Sequence, residues 1–482
     1  MSIIGNLHEK LASKKISSVE LTKIYLDRAK KDKTNSFITV CEESALKEAA
    51  EIDAKGVTKG DSPLKGVPIA LKDNMTTMNA PTTCASKLLG EYKAPYDADV
   101  TRRLKNDGSI MIGKLNMDEF AMGGSNENSA FGVVRNPVNL DYVPGGSSGG
   151  SAAAAKAGLA AATLGSDTGG SIRLPASYTG LVGMKPTYGS VSRYGLVAFA
   201  SSLDQIGPMT QTVDDCAIML SSIAGRKKGE WEQDSTLSSH PQVDYLAEIA
   251  KLKDRKYRIG VPKEYFISGM QPEVEKSTQT VIEALKKAGH TLVDISLPHT
   301  QYSVAVYYIV AVSEASSNLS RFDGVRFGNR VQSANLTEMY KKTIALFGSE
   351  VKRRIVLGTF ALSSGYYDAY FKKACQVRRL IANDFKKAFE SCDLIVGPVA
   401  PTTAFKLGEK VSDPLKMYLN DILTIPVNLA GLPAISVPAG RDSKGMPIGV
   451  QFIGKHFQDA HVLNAARFVE QNVYHEEVSH VL

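Results

Sequence analysis

The chain has 482 residues, of which 43% are hydrophobic and 22% are charged, and 57 basic against 50 acidic residues give it a formal net charge of +7. This is the composition of an ordinary folded protein, which argues against a disordered chain, and the mild positive charge permits an anionic partner without requiring one. By length alone we expect roughly two to four domains.

The cysteines and the start of the chain bear on its compartment. Five cysteines stand far apart with no Cys-x-x-Cys pair, which argues against a disulfide framework and a zinc cluster, so each is predicted to be a buried, reduced filler. Residues 1–10 lack a long apolar core, and no run of about 18 apolar residues follows, so neither a secretory signal nor a membrane span is expected. We therefore expect a cytosol-like, cytoplasmic protein.

The first part of the chain is predicted to begin with helices and to continue with alternating strands and helices. Residues 3–55 are interpreted as helices, because apolar side chains recur at helical spacing. Residues 66–71 form a short apolar run typical of a buried strand, and this run ends in Lys72. Residues 98–107 predict an amphipathic helix, and residues 109–113 predict a second buried strand.

Residues 144–188 carry the most unusual sequence of the chain. Two Gly-Gly-Ser turns, which contain Ser147 and Ser171, flank the small-residue segment 152–164, and this segment predicts a closely packed helix. Glycine and serine usually indicate a flexible linker, but a linker would not enclose an apolar, Ala-rich segment. Glycines so placed can turn several backbone N–H groups toward one point, where they can hold an oxyanion. The stretch therefore predicts a catalytic centre.

The later part of the chain continues the alternation. A loop and a helix are predicted over residues 201–224, and the polar residues 226–256 are predicted to be a solvated excursion. Beyond them we expect a strand–helix–strand unit at residues 257–262, 273–287 and 291–296, followed by a mostly helical stretch over 302–392. Three further strands are predicted at 393–399, 434–437 and 449–453, and a closing helix at 460–471. This pattern implies one α/β sheet covered by helices on both faces.

A serine nucleophile needs a base that takes its proton. None of the eight histidines lies between residues 9 and 239, and neither central serine stands in a Gly-x-Ser-x-Gly elbow. Both observations weaken the case for a Ser-His-Asp triad without excluding it. Lysine can act as a base only when it is neutral, and burial lowers its pKa. Lys72 is the candidate base because it follows a buried strand, although a solvated lysine is the ordinary case.

Ser171 is the better candidate for the nucleophile, because it follows an Asp-Thr-Gly-Gly turn whose backbone can bind the oxyanion. One such donor is typically worth about 2.7–4 kcal/mol in the transition state. The candidate donors are the backbone N–H groups of Thr168, Gly169, Gly170 and Ser171. Ser147 would relay the proton from Ser171 to Lys72, and a plain turn or cap serine stays open as its alternative. Arg173 would either pair with a nearby carboxylate or contact the substrate.

These residues resemble the amidase signature enzymes, whose mark is a lysine, a serine in Gly-Gly-Ser-Ser-Gly-Gly and a serine in Asp-Thr-Gly-Gly-Ser-Ile-Arg. The sequence has all three, at Lys72, Ser147 and Ser171, and the two serines are 24 residues apart (171 minus 147), as in the family. The resemblance implies that Ser171 is acylated and that Ser147, joined to Gly146 by a cis peptide bond, bridges to the lysine.

The same resemblance covers nearly the whole chain and implies one amidase domain with a mixed central sheet and helices on both faces. Within residues 1–482 it implies an N-terminal helical segment (1–60) and a catalytic core (66–225). The polar excursion (226–256) follows, and residues 257–482 complete the sheet and form a helical cover over the substrate pocket.

Three further stretches resemble the A subunits of bacterial-type glutamyl-tRNA(Gln) amidotransferases: residues 116–123, 313–324 and 357–370. This resemblance implies that glutamine is the substrate, that Arg354 grips its α-carboxylate and that Asp421 faces its α-ammonium. It also implies that Tyr307 and Thr168 line the same pocket. The chemistry is reasonable, because a zwitterion needs one fixed charge of each sign and arginine can hold a carboxylate with two hydrogen bonds.

The resemblance further implies a heterotrimer with the B and C subunits of such an amidotransferase. This chain would hydrolyse glutamine without a cofactor or metal of its own, and the B subunit would use ATP and Mg²⁺ to activate Glu, or Asp, mischarged on tRNA and accept the ammonia. The small C subunit would act as a clasp. Two alternatives stay open: a stand-alone amidase acting on another amide, which would not need Arg354 and Asp421, and a non-catalytic scaffold of the same fold.

Overall fold

A computed structural model describes residues 2–226, 234, 236–410 and 414–478, and in this part of the chain eleven strands form a single sheet. The strands are β1 (Phe37–Val40), β2 (Pro68–Lys72), β3 (Ile110–Leu115), β4 (Ala162–Asp167), β5 (Val182–Lys185), β6 (Gln205–Thr210), β7 (Arg258–Pro262), β8 (Thr291–Ile295), β9 (Leu394–Pro398), β10 (Ala434–Arg441) and β11 (Pro447–Gly454).

Sixteen α-helices surround the sheet within the described residues. They are α1 (Ile3–Ala12), α2 (Ser18–Lys30), α3 (Glu42–Lys55), α4 (Asp99–Asn106), α5 (Gly149–Lys156), α6 (Arg173–Thr179), α7 (Val213–Ile223), α8 (Tyr245–Lys251), α9 (Pro272–Lys287), α10 (Ser303–Leu319), α11 (Leu336–Ile344), α12 (Ser349–Leu362), α13 (Lys373–Ser391), α14 (Pro414–Tyr418), α15 (Ile425–Leu429) and α16 (Asp459–Asn472). No described helix is long and apolar enough to cross a membrane.

The sheet is mixed, and its strands follow the order β1-β3-β2-β4-β6-β5-β10-β11-β9-β7-β8. Strand β2 runs parallel to β3 and β4, and β7 runs parallel to β8 and β9, whereas the other neighbouring pairs are antiparallel. Because β2, β3 and β4 are parallel, their carboxyl ends meet at one edge of the sheet, which is where such sheets place ligands. The segments that follow these three strands build the site.

Both faces of the sheet are covered. Successive residues of a strand point to opposite faces, and in β9 Leu394 and Val396 belong to one hydrophobic cluster whereas Ile395 belongs to another. The first cluster contains apolar residues of α1, α2, α7 and α16, and the second contains those of α10, α12, α13 and α15. The predicted mixed α/β sheet with helices on both faces is therefore confirmed.

Several predicted elements are found with their boundaries shifted by one or two residues, among them β2, β3, the β7–α9–β8 unit, β9 and α16. The closely packed helix predicted over residues 152–164 is wrong in its second half. Helix α5 ends at Lys156, Gly158 takes a left-handed φ of 66°, and the chain enters β4 at Ala162. Small apolar residues suit a fully buried strand as well as a helix, so the composition did not separate the two.

Besides β4, three strands were missed because the stretches that contain them were not interpreted as strands: β1, β5 and β6. Part of the predicted polar excursion, residues 227–233 and 235, lies outside the described residues. The rest is not simply solvated, since α8 buries Tyr245 and Ile249. The prediction of five buried cysteines is wrong for Cys375, which is exposed on α13, while the other four are buried and all five are free thiols. The division of residues 1–482 into segments stays a prediction.

Candidate active site

Lys72 is the last residue of β2 and has no exposed surface. Its Nζ donates to Ser147 Oγ over 2.7 Å, to Ser148 Oγ over 2.9 Å and to Ser166 Oγ over 2.9 Å. Ser166 lies in the neighbouring strand β4, and its hydroxyl also accepts from Asn74 Nδ2 over 2.9 Å. The amine predicted to be a base is thus held by three hydroxyl groups at the carboxyl edge of the sheet.

Burial lowers the pKa of Lys72 from 10.5 to about 7, although Asp118, Asp167 and Asp204 act in the opposite direction. A lysine ammonium is strongly hydrated, and removing that water disfavours the charged form. The amine is therefore close to half neutral near neutral pH, and a neutral amine can accept a proton. Burial also raises the pKa of Asp118 to about 6.

Ser147 is held in a tight turn that needs glycine. The Gly146–Ser147 peptide bond is cis, as the resemblance implies. A Cβ on Gly146 would lie 2.8 Å from the backbone nitrogen of Asn126 and would also meet the Asp118 carboxylate, so a larger residue does not fit there. The Ser147 carbonyl accepts from the backbone of Asp118 over 3.2 Å. The turn therefore presents the Ser147 hydroxyl to Lys72 in a buried setting.

Ser171 stands on the loop between β4 and α6, next to this turn. Its carbonyl accepts from the Ser148 backbone over 3.2 Å, which joins the two serine segments. Ser171 is 8% exposed whereas Lys72 and Ser147 are fully buried, so of the three residues it is the one that a substrate can reach. Lys72 and Ser147 are thus in direct contact and Ser171 adjoins their turn through its backbone, while the proton relay from Ser171 through Ser147 stays a prediction.

The backbone before Ser171 offers free hydrogen-bond donors. Among the described residues, the N–H groups of Gly169, Gly170 and Ser171 have no acceptor. Successive unpaired N–H groups of this kind can bind an oxyanion. The N–H group of Thr168, the fourth predicted donor, likewise has no acceptor among the described residues, and the Thr168 hydroxyl donates to Asp204 Oδ1 over 2.7 Å.

Of the two roles predicted for Arg173, pairing with a nearby carboxylate and contact with the substrate, the structure shows the pairing. Its guanidinium pairs with Asp167 over 3.2 Å, and both side chains are fully buried. Asp167 also accepts from Asn428 Nδ2 over 2.8 Å, and Arg173 Nη1 donates to Gln451 over 3.2 Å. This network fixes the two ends of the 168–171 loop.

The loop contacts two of the predicted substrate-binding residues. A Cβ on Gly169 would lie 2.8 Å from Tyr307 Cζ, and one on Gly170 would lie 2.6 Å from Asp421 Oδ1, so both side chains pack directly on the loop. Asp421 Oδ1 is buried and has no hydrogen-bond partner among the described residues. Burial raises the pKa of Asp421 well above its ordinary value. An unpartnered acceptor in this position suits a cationic ligand.

Asp421 also borders a cleft that contains Arg354. The cleft is lined by residues of several loops and of α10, α12 and α14, namely Gly123, Gly124, Ser125, Glu127, Asn128, Tyr308, Ser349, Glu350, Arg353, Arg354, Lys410, Met417, Tyr418 and Asp421. Arg354 and Asp421 thus place a guanidinium and a carboxyl group in one cleft. Tyr308 lines this cleft, whereas its neighbour Tyr307 lies on the Gly169 side.

Sequence reasoning missed the residues that surround the predicted ones. Ser148 and Ser166 contact Lys72, and Glu350 pairs with Arg354 over 2.8 Å. The Glu350–Arg354 spacing of i, i+4 on a predicted helix was a usable signal. Nothing local marked Ser166, because its contact with Lys72 depends on the pairing of β2 with β4.

A family model described as Amidase matches residues 20–463 of the chain. The chain belongs to the amidase family. This amidase is 54% identical over 473 residues to the A subunit of the glutamyl-tRNA(Gln) amidotransferase of Geobacter metallireducens, which covers 97% of the chain and 96% of that relative. It is 54% identical over 476 residues to the A subunit of the same name in Bacillus cereus strain AH187, at 98% and 97% coverage.

Solved structures of the amidase family share the fold. The crystal structure of the glutamyl-tRNA(Gln) amidotransferase A subunit from Thermotoga maritima matches with a TM-score of 0.82 and 42% identity, over 100% of this chain and 98% of that one. The native peptide amidase from Stenotrophomonas maltophilia matches with a TM-score of 0.80 and 28% identity, over 99% and 98%. This amidase thus resembles both one component of a larger enzyme and an amidase that acts on peptides.

Proposed function

We propose that this chain is the glutaminase component of a tRNA-dependent amidotransferase and that Lys72, Ser147 and Ser171 are its catalytic residues. The observation that carries the proposal is the buried Lys72 amine, bonded to Ser147 beside the free N–H groups of the Ser171 loop. The names of the relatives that match over nearly the whole chain support the assignment.

The proposed reaction begins with neutral Lys72 accepting the proton of Ser147 while Ser147 accepts that of Ser171. The Ser171 oxygen attacks the side-chain carbonyl carbon of glutamine, and the N–H groups of Gly169, Gly170 and Ser171 stabilise the oxyanion. When the intermediate collapses, the C–N bond breaks and the proton returns through Ser147 to the leaving nitrogen, which departs as ammonia. Water then attacks the acyl-enzyme along the same proton path, releasing glutamate and restoring Ser171.

Substrate selection is proposed to depend on the two opposite charges of the cleft. Arg354 would bind the α-carboxylate and Asp421 the α-ammonium, because Asp421 Oδ1 lacks a partner among the described residues and packs on the loop that holds the nucleophile. A bound ammonium would also oppose the effect of burial and keep Asp421 ionised. Tyr307, packed on Gly169, would line the reacting end of the substrate.

The proposed partners are the B and C subunits of the amidotransferase. The B subunit would use ATP and Mg²⁺ to convert Glu-tRNA(Gln), or Asp-tRNA(Asn), with the released ammonia, and the small C subunit would hold the complex together. The test is Ser171→Ala in the complex of this chain with such partners. Glutamine-dependent amidation and glutamate release should fall to background, while amidation with added ammonium salt should persist. Loss of both activities would contradict separate sites for the two reactions.

A stand-alone amidase is the second candidate, favoured by the 28% identical peptide amidase neighbour. The two candidates differ in the need for Arg354. Arg354→Ala should raise KM for glutamine strongly with a smaller effect on kcat, and an unchanged KM would favour the stand-alone enzyme. Mass spectrometry with an electrophilic glutamine analogue should find the adduct on Ser171, and an unlabelled Ser171 would favour a non-catalytic scaffold.

A further inference from the structure

Arg354 is held on one side only. It is 2% exposed, and its Nε donates to Glu350 Oε1 over 2.8 Å, one helical turn earlier on α12. Among the described residues this is its sole hydrogen-bond partner, so Nη1 and Nη2 remain available in the cleft that Arg354 lines. A guanidinium can bind a carboxylate through two adjacent nitrogens, either Nε with one Nη or the two Nη together. Because Glu350 occupies Nε, only the second edge is free.

Glu350 is itself fixed by several contacts. Its Oε1 also accepts from the Tyr418 hydroxyl over 2.9 Å, and its Oε2 accepts from Arg353. Arg354 and Tyr418 lower the pKa of Glu350 against the opposing effect of burial, so the carboxylate is ionised near neutral pH. Rotation of Glu350 would break these bonds together, which makes it a rigid acceptor for Arg354.

Aromatic rings surround the guanidinium. The Arg354 Cζ lies 5.4, 5.3 and 5.6 Å from the ring centroids of Phe199, Tyr308 and Tyr418. Tyr308 and Tyr418 stack on each other with centroids 3.9 Å apart. Because Cζ is nearly equidistant from the two centroids of this stacked pair, the guanidinium lies beside the stack, where the rings limit the space open to it. The rings thus restrict where the guanidinium can move, and the bond to Glu350 decides which of its edges is occupied.

We propose that Glu350, supported by Tyr418, is a positioning residue that holds Arg354 with its Nη1–Nη2 edge ready for the α-carboxylate of the amide substrate. This inference rests on the proposed function and deepens it, since it makes the free α-carboxylate the group that the enzyme selects. Glu350 acts through Arg354 and does not touch the reacting atoms.

The test is Glu350→Gln in the full complex, assayed with glutamine and with 4-aminobutanamide, which is glutamine without its α-carboxylate. KM for glutamine should rise about tenfold or more with kcat within about twofold, because a charge-assisted bond that orients Arg354 is lost. The kcat/KM for 4-aminobutanamide should not change. Lys352→Gln is the matched control, since it removes one charge from an exposed position of the same helix and should leave both substrates unaffected.

A double variant separates positioning from simple support of the fold. With Arg354→Ala present, Glu350→Gln should lower KM for glutamine, because it removes a carboxylate that no longer faces Arg354 and that repels the substrate carboxylate, even though Arg353 and Tyr418 still contact it. A merely structural role would instead add a second loss. Tyr418→Phe, which keeps the stacked ring and removes one bond to Glu350, should raise KM about threefold, and it carries the test if Glu350→Gln does not assemble.

The inference is overturned if Glu350→Gln leaves KM for glutamine unchanged, or if both substrates lose kcat/KM equally. It is also overturned if the effects of Glu350→Gln and Arg354→Ala on the logarithm of KM for glutamine are additive in the double variant. Failure of the proposed function looks different, since the unmodified complex would then release no glutamate from glutamine at all.

Discussion

The ionisation of Lys72 makes a quantitative prediction about pH. With its pKa at about 7, the neutral fraction falls from about nine tenths at pH 8 to about one tenth at pH 6, so kcat/KM for glutamine should fall about tenfold. A lysine left at its ordinary 10.5 would be neutral in only about one molecule in 3,000 at pH 7. Burial of this one amine therefore increases the active fraction by about a thousandfold or more.

The charges around Lys72 allow a sharper perturbation. Asp118 exerts the largest of the effects that oppose burial and raise the pKa of Lys72, so Asp118→Asn should lower that pKa further and move the acidic limb of kcat/KM to lower pH. The assay is glutamate release by the complex at about half-unit pH steps, with circular dichroism at each pH to show that the fold is intact. A limb that stays in place, a limb that moves to higher pH, or a profile that still rises above pH 9 would refute a neutral Lys72 base.

Three further predictions concern stability and the loop. Because the pKa of Lys72 is lower in the folded state, its amine binds a proton more readily in the unfolded state between pH 7 and 10.5. Lys72 should therefore contribute a rise in the free energy of unfolding of up to about 5 kcal/mol across that window. Lys72→Met should remove this contribution in denaturant titrations and leave that of the buried Lys185, whose pKa is also lowered to about 7. Asp167→Asn leaves Arg173 buried without its counter-charge and should cost about 3–5 kcal/mol, which a lowered denaturation midpoint would report. Gly170→Ala, at a φ of 147° with its Cβ 2.6 Å from Asp421, should abolish glutamine hydrolysis, whereas Gly445→Ala, also at positive φ but in open space, should retain it.

Local sequence patterns were sufficient to predict a feature when that feature lies within a single strand, helix or turn. The buried strand before Lys72, the glycine turns around Ser147 and Ser171, and the strand–helix–strand unit over residues 257–296 were all predicted from short windows of sequence. Fully buried apolar runs and glycines with left-handed φ depend mainly on the residues themselves. Short edge strands such as β1 were missed, because a four-residue strand has too few side chains to show a period.

The sequence by itself determined which chemical groups are present and which local elements carry them: one lysine after a strand, two serines in glycine turns, and an arginine on a helix. Only the tertiary structure decided what these groups can do. The low pKa of Lys72 arises because strands and loops distant in sequence exclude water from it, and Arg354 is enclosed by rings on three separate segments. Burial and convergence are properties of the packed chain, and no short stretch of residues encodes them.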